Sequence, residues 1–186
     1  MSLTIREKAD TLGTWRHTNV FLMETLARWV PTTPELEVKT LFGQHLWDLA
    51  QHADEIGKRT ADLRAPLHYN RKPTAGYAEA LDALAGASGT AERVAGFYDA
   101  ALPDLERRYR AYLADTDHLL DQPTVRILER LVGDIARMQA DRKGVAAERS
   151  DLPLTAPGWA EALSGRLSAP GGMVEPRPAG AGAEVA

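Results

Sequence analysis

Apolar residues recur every three to four positions along four long stretches of the chain, and this spacing predicts four long helices. The first stretch ends before Pro31, and the second begins at Pro34, with Thr33 as its expected N-cap. Pro103 interrupts the third stretch and is expected to kink it, because proline has no N–H to donate. The expected helices cover residues 4–30, 34–64, 90–115 and 123–145. Very little of the sequence favours strand, so the predicted fold class is all-α.

The lengths of the connections predict how the four helices are joined. Short turns join the first helix to the second and the third to the fourth, whereas the long segment 65–89 joins the second to the third. We therefore expect a four-helix bundle of two antiparallel helical hairpins linked by one long crossover, which is the ferritin-like connectivity. The crossover contains a polar, aromatic cluster at residues 68–71. Because loops of this length are often functional, contact with a substrate is one interpretation of the cluster.

The remaining residues are expected to complete one domain and to add a tail. A short helical piece is predicted around Trp159, so the single bundle domain is assigned to residues 1–167. Residues 168–186 are rich in Gly, Pro and Ala, and Met173, Val174 and Val185 are almost their only sizeable apolar residues. Such a segment buries too little surface to offset the entropy lost on ordering. We expect a flexible tail that can be removed with little effect on stability.

Composition narrows the class of protein. Apolar residues make up 44% of the chain and charged residues 26%, which is ordinary globular usage. The formal net charge of −4 argues against a nucleic-acid partner, and the absence of cysteine excludes disulfides and iron–sulfur clusters. No stretch approaches the roughly 20 apolar residues of a membrane span, and the first residues are charged too early for a signal peptide. We expect a cytoplasmic protein with no membrane partner, and leave open whether it forms a homodimer.

The second helix carries polar residues beside its apolar stripe, and these are the candidate metal ligands. Asp48 and His52 lie four residues apart, so one turn stacks them and they could chelate one ion from a single helix. His45 lies on the same narrow stripe, and the first and fourth helices add one carboxylate each. Imidazoles and carboxylates that converge in a bundle suit iron, manganese or zinc. The predicted ligands are Glu24, His45, Asp48, His52 and Asp134.

The same stripe favours metal-free chemistry as an alternative. Histidine titrates near neutral pH, so His45 and His52 are candidate catalytic acid–base residues, with Tyr98 on the third helix as a further candidate. The sequence contains no phosphate-binding loop, nucleophile elbow or dinucleotide-binding fingerprint. We therefore expect no nucleotide, haem or iron–sulfur cofactor. The purely structural interpretation is that both histidines are hydrogen-bonded residues at the edge of the apolar stripe.

The helix lengths, the single crossover and the segment DQPTVRILERLVGDIARM resemble the ferritin-like superfamily, which includes bacterial carboxylate-iron oxidases. The resemblance is architectural and covers roughly residues 4–145. It implies that Glu24 supplies the carboxylate of the first helix, and that Glu106 or Tyr98 contributes from the third. The Glu-x-x-His motifs of the family are absent, because no Glu lies three positions before either histidine of the second helix. The resemblance therefore implies an altered or single-ion site, or a bundle that kept its pocket and lost its metal.

Two functions of different classes follow from these observations. The first is a non-haem-metal oxidase, or a tailoring enzyme that acts on a small molecule inside the bundle. The second is a non-catalytic bundle that binds a small ligand or a protein partner without metal. The structural interpretation also predicts that Asp134 pairs with Arg130 or Arg137 on its own helix.

Overall fold

The computed structural model of the chain describes residues 3–152, 154–169 and 171–176, and all regular structure within them is helical. The all-α prediction is therefore confirmed. The helices are α1 (Ile5–Trp29), α2 (Leu36–Asp62), α3 (Ala75–Ala85), α4 (Thr90–Val94), α5 (Leu102–Asp115), α6 (Gln122–Glu148) and α7 (Pro157–Leu167). A 3₁₀ turn, Val30–Thr32, follows α1, and a π-helical segment, Ala95–Ala101, joins α4 to α5. None of the helices in these ranges is long and apolar enough to cross a membrane.

Helices α1 and α2 form an antiparallel hairpin. A capping box opens α1, because the Thr4 hydroxyl accepts from the backbone N–H of Glu7 while the Glu7 carboxylate accepts from that of Thr4. The prediction that Thr33 caps α2 is wrong. The Thr33 hydroxyl instead donates to the carbonyl of Trp29 at 2.9 Å, so the 3₁₀ turn extends α1 and α2 begins only after Glu35. The Trp29 ring packs on Phe42 at the turn, with 5.6 Å between centroids.

The expected interruption at Pro103 takes the form of a π-helical segment. Pro103 is the second residue of α5 and has no N–H, so it cannot bond the carbonyl four residues earlier. The N–H of Leu102 bonds the carbonyl of Phe97, five residues back, and the segment Ala95–Ala101 follows this wider spacing. Apart from Asp99, this segment is buried, so its wide turn faces the core.

The four longest helical stretches surround one apolar core. Helix α6 packs against α2 and α5, and α1 meets α5 through Trp15 and Tyr109, whose rings lie 4.9 Å apart. Helices α2 and α6 run antiparallel, because His45 near the start of α2 contacts the far part of α6 while Arg59 contacts Thr124 at its beginning. The short helix α7 covers the π-helical segment and α3.

The crossover between α2 and α4 begins by docking on the α1–α2 hairpin. The N–H of His68 donates to the carbonyl of Gly57 at 3.0 Å, and His68 adopts a positive φ of 56°. A Cβ at Gly13 would lie 2.6 Å from the Tyr69 ring, and one at Gly57 would lie 2.2 Å from His68 Nδ1. Glycine at both positions therefore lets the crossover approach the two helix backbones closely.

The predicted flexible tail is partly docked, which corrects the tail assignment for residues 171–176. Met173 is only 2% exposed. The carbonyls of Gly172 and Met173 accept hydrogen bonds from the hydroxyl and N–H of Thr74 at 2.8 and 3.0 Å. One buried methionine and two hydrogen bonds supply the anchoring that the composition did not suggest. Residues 170 and 177–186 of the predicted tail lie outside the described residues.

Candidate functional site

Polar side chains of α2 and α6 meet in a continuous row, which we call the polar seam. Its α2 members alternate at intervals of three and four residues, so they share one face of the helix. The first four α6 partners follow intervals of four, three and four residues in the opposite direction. The pairs of the seam are His45–Asp141, Asp48–Arg137, His52–Asp134, Glu55–Arg130 and Arg59–Thr124. Each α2 side chain of the seam therefore has a polar partner on α6.

His45 connects a buried tyrosine to a carboxylate at the surface. Its Nδ1 lies 2.7 Å from the hydroxyl oxygen of Tyr98, which comes from the π-helical segment, and its Nε2 lies 3.2 Å from Asp141. Burial lowers the pKa of His45, although the hydrogen bond and charge of Asp141 oppose this, and burial raises the pKa of Tyr98 well above its usual range. A neutral imidazole protonated on Nε2 satisfies both contacts, because it accepts from Tyr98 and donates to Asp141.

His52 makes a similar pair two turns along α2. Its Nε2 lies 3.1 Å from an oxygen of Asp134, and the imidazole is almost completely buried. Burial lowers the pKa of His52 despite the opposing hydrogen bond and charge of Asp134. Burial alone would raise the pKa of Asp134, but hydrogen bonds from Arg137 and His52 hold it below its usual value. The pair therefore combines a neutral imidazole with an ionised carboxylate near pH 7.

Arg137 lies between the two histidine pairs and bridges their carboxylates. Its two terminal nitrogens lie 3.1 and 3.2 Å from the oxygens of Asp48, and one of them also lies 2.9 Å from Asp134. Asp141 is 4.0 Å away. The hydrogen bonds that Arg137 donates to Asp48 and Asp134 raise its pKa above the ordinary value. One guanidinium thus offsets the charge of several carboxylates on this face.

Four of the five predicted metal ligands lie in the seam. His45, Asp48, His52 and Asp134 occupy consecutive turns of the α2–α6 contact, as the inward stripe predicted. Glu24 does not join them, because its side chain is exposed on α1. The expectation that it approaches the stripe is therefore wrong. Glu24 lies on the exposed face of α1. The apolar residues of α1 already indicate that this face is exposed, because they lie on the other side of the helix.

The seam as it stands does not fit a metal ion. The described residues contain no group of three or more His, Cys, Asp or Glu that could hold one. The reason lies in the pairing, since each imidazole faces its own carboxylate while Asp48 and Asp134 bind the guanidinium of Arg137. The donor set is saturated by protein groups.

The three candidate catalytic residues are enclosed. His45, His52 and Tyr98 are at most 1% exposed. A shallow depression of about 370 Å³ lies over the seam, and its lining residues are Gln44, Trp47, Asp48, Arg137 and Asp141. A small molecule in this depression would meet the carboxylates and the guanidinium before either imidazole.

Asp141 was missed in the sequence, although α6 contains a signal for it, and Arg137 was expected only as a partner of Asp134, a pairing that is confirmed. Asp141 binds His45, and Arg137 bridges Asp48 and Asp134. Positions 130, 134, 137 and 141 have the same alternating intervals as the polar positions of α2. This matching periodicity on two helices is the pattern that indicates paired polar faces.

A second candidate site lies beside α1 and α5, and none of its lining residues belongs to the seam. We call it the end cavity, because residues near the end of the described chain line it. Its volume is about 320 Å³. The rings of Trp15 and Tyr112 form its base, with centroids 5.4 Å apart, and Met173 and Val174 of the docked chain end form part of its wall. Burial raises the pKa of Tyr112, and its hydroxyl donates to Asp121 at 2.6 Å.

Comparison with known proteins gives no relative from which a function could be transferred. No protein family matches the chain, and no curated protein or solved structure shows significant similarity to it. The function is therefore argued from the geometry of the two candidate sites.

Proposed function

We propose that the chain is a metal-free, small-ligand-binding helical bundle whose ligand site is the end cavity. The observation that carries the proposal is the cavity itself, a concave space of about 320 Å³ over the rings of Trp15 and Tyr112. Its volume falls near the lower end of the range of about 300–1,000 Å³ that is usual for small-molecule sites. Such sites combine apolar and aromatic walls with a few polar groups, and this cavity has both.

The finer fold assignment belongs to the same proposal. We take α1, α2, the α4–α5 stretch and α6 as the helices of a four-helix bundle with ferritin-like connectivity. The antiparallel contacts of α2 with both α1 and α6, and the position of α3 within the crossover, support this arrangement. In such a bundle the end cavity lies beside the first and third helices, whereas the polar seam joins the second and fourth.

The lining of the end cavity indicates the chemistry of its ligand. Trp15, Tyr112 and Met173 offer an apolar base and wall. Lys8, Arg107, Arg108 and Asp115 line its polar part, so cations outnumber carboxylates by two in the lining. Lys8 pairs with Asp121, and both arginines pair with Asp104, just outside the lining. Arg107 has a side chain 57% exposed, so it can turn from its partner Asp104 toward a bound group. The preferred ligand is therefore a small, largely apolar molecule with one anionic group.

The proposal is tested with ANS, an apolar fluorescent probe that carries a sulfonate. We expect saturable binding to the native protein at one site per chain. Ala111 lines the cavity on α5, so Ala111→Trp should fill the space and weaken ANS binding at least about tenfold, or by 1.4 kcal/mol. Loss of charge in Arg107→Ala should weaken binding by a smaller factor.

Matched variants on the same helix provide the controls. Ala114→Trp places the same ring on an exposed position of α5 that does not line the cavity, and Arg110→Ala removes an exposed arginine paired within its own helix. Both should bind ANS as the native protein does. Equal binding by Ala111→Trp and Ala114→Trp would refute the end cavity as the ligand site. The next candidate would then be the cavity of about 590 Å³ beside Ile5 and Leu63.

The metal-dependent oxidase remains a prediction from the sequence, and it requires a different property of the protein. It requires that the purified protein retain iron, manganese or zinc at a fixed ratio to the chain. Elemental analysis after purification without added metal decides this point. A stoichiometric metal would replace the proposed function, because the site would then lie in the seam and not in the end cavity.

A further inference from the structure

We infer that the cavity of about 590 Å³ beside Ile5 and Leu63 binds a phosphate monoester with a small apolar body. It lies at the open end of the α1–α2 hairpin, between the first residues of α1 and the end of α2, so we call it the hairpin cavity. Arg6 and Arg64 hold the phosphate. The inference goes beyond the proposed ligand-binding function, since the hairpin cavity and the end cavity share no lining residue.

Two arginines without a partner line the hairpin cavity. In the part of the chain that the structure describes, the side chains of Arg6, Arg64 and Arg166 take part in no ion pair or hydrogen bond. Two of these three side chains, those of Arg6 and Arg64, line one concave space and come from opposite ends of the hairpin sequence. A guanidinium carries five N–H donors in a fixed geometry. The hairpin cavity therefore offers two sets of donors that protein groups leave free.

The only carboxylate among the described lining residues is compensated from outside the cavity. Asp10 is 2% exposed, and it forms an ion pair with Arg71, which does not line the cavity. The hydroxyl of Tyr69 also donates to Asp10, at 3.2 Å. The charge that the cavity offers to a ligand is therefore that of two guanidiniums, and this charge favours an anion.

The backbone holds Arg64 at the cavity in a conformation that favours glycine. The N–H of Arg64 donates to the carbonyl of Ala61 at 3.0 Å, and that of Ala65 donates to the carbonyl of Thr60 at 3.1 Å. These are the two hydrogen bonds of a Schellman motif, in which the residue after the C-cap is usually glycine. Arg64 occupies that position with a φ of 60°. A strained residue with a free guanidinium at a cavity indicates a role in binding.

The lining favours a phosphate monoester over a carboxylate. One guanidinium satisfies both oxygens of a carboxylate, whereas the three terminal oxygens of a phosphate monoester accept from two guanidiniums and carry close to two negative charges at neutral pH. Ile5 is 55% exposed beside the cavity, and Pro66 and Tyr69 extend this apolar wall. Because the Tyr69 ring packs closely on Gly13, the wall is formed before a ligand binds. An apolar ligand body would cover it.

Phenyl phosphate is the probe, and isothermal titration calorimetry at neutral pH measures its binding. We expect one saturable site per chain, with weaker binding of both benzoate and inorganic phosphate. Arg6→Ala and Arg64→Ala should each weaken phenyl phosphate binding about tenfold or more, because hydrogen bonds between charged groups have this strength. Arg64→Gly should lose as much affinity as Arg64→Ala but should have the higher Tm, since glycine relieves the positive φ.

Matched variants locate the site. Arg166→Ala removes the third of the unpartnered arginines, which lies on α7 outside the cavity, and should bind phenyl phosphate as the native protein does. Ala65→Trp should fill the hairpin cavity and weaken binding, whereas Ala61→Trp places the same ring on an exposed position of α2 that does not line it. Ala111→Trp, which fills the end cavity, should leave phenyl phosphate binding unchanged.

Each result either supports or overturns the inference. Absence of saturable binding to the native protein, or equal losses in Arg166→Ala and Arg64→Ala, would show that no specific site exists at the hairpin cavity. Equal affinity for phenyl phosphate and inorganic phosphate would show that the apolar wall binds nothing. Loss of binding in Ala111→Trp would place the anion in the end cavity instead. If Ala65→Trp is unfolded, Arg6→Ala and Arg64→Ala decide, because both arginines are exposed.

Discussion

The polar seam and the end cavity differ in where their polar groups are directed. In the seam, His45, His52 and the carboxylates around them bind one another and Arg137, so the protein itself satisfies the donors and acceptors. At the end cavity, the rings of Trp15 and Tyr112 face open space. A cluster of chemically versatile side chains is therefore not by itself a site. Unfilled space beside apolar rings is the stronger indication of a ligand, because a bound molecule needs both room and surface to bury.

The end cavity nevertheless has a buried polar group beneath it, which it shares with the Arg59–Thr124 end of the seam. Asp121 is completely buried at the start of α6 and accepts hydrogen bonds from five side chains: Lys8, Arg59, Tyr112, Thr116 and Thr124. Burial would raise the pKa of Asp121, but these hydrogen bonds hold it far below its usual range. The two regions thus differ in burial as well, since the seam carboxylates are partly exposed and Asp121 is not.

The largest predicted effect follows from this difference in burial. Asp121→Ala leaves the cations of Lys8 and Arg59 without their buried partner, and loss of one partner of a buried pair costs about 3–5 kcal/mol. Asp48→Ala in the partly exposed seam should cost about 1 kcal/mol or less. Urea unfolding of both variants measures the contrast. Equal losses would mean that the two regions are not distinguished by burial. Glu129→Ala, at an exposed residue of α6, should show the effect of losing an exposed carboxylate.

A smaller loss is expected when the wall of the end cavity is removed. Met173→Ala deletes a buried side chain, and such changes cost about 2–5 kcal/mol in a core. Because Met173 lies at the chain end, we expect a value near the bottom of this range, about 2 kcal/mol, or a fall in Tm of about 4–8 °C. Differential scanning calorimetry provides the measurement.

Truncation after residue 167 tests whether the chain end contributes to stability as a docked segment. The composition of the segment predicts a change of a degree or two, whereas the docked Met173 predicts a loss as large as that of Met173→Ala. Leu36→Ala, at an exposed apolar residue, is the matched control for lost side-chain volume and should leave Tm nearly unchanged. An unchanged Tm after truncation would contradict the docking of residues 171–176.

The last effect is a pH dependence that belongs to the seam. The folded protein lowers the pKa of His45 and His52 below their ordinary value of 6.5. The unfolded chain then binds more protons than the folded chain as pH falls below about 6.5. Stability is therefore fully present above that pH and is lost on acidification, by at most about 1.4 kcal/mol per pH unit for each histidine. Urea unfolding between pH 7.5 and pH 5 measures the slope, over roughly the range in which histidine titrates.

Replacement of both histidines tests the assignment of this slope. His45→Gln with His52→Gln removes both titrating groups, so the remaining slope over the same pH range should be much smaller. ANS binding at the end cavity should not follow the titration of the seam. A native protein that becomes more stable on acidification would show that Asp134 and Asp141 favour the charged imidazoles over the neutral forms.

Much of the fold and part of the site could be predicted from the chain itself. The intervals of apolar residues predict α2 and α6 to within a few residues of their observed bounds, and they direct His45 and His52 inward. Helical periodicity is a local property, so it determines where helices lie and which face of each is buried. The same reasoning misplaced the start of α2, because Thr33 finds its acceptor in the preceding turn.

Other features depend on residues that are distant in sequence. The contact of His45 with Tyr98 joins positions 53 residues apart, and Arg137 bridges Asp48 across 89 residues. The wide turn of the π-helical segment and the docking of the Met173 backbone on Thr74 also depend on which elements lie side by side. Local spacing contains no measure of the register between two packed helices, and a shift of one turn would give each imidazole a different partner. The sequence by itself therefore determined the helices and their inward polar stripe. Only the tertiary structure decided that this stripe is neutralised by Arg137 and that the open space lies at Trp15 and Tyr112.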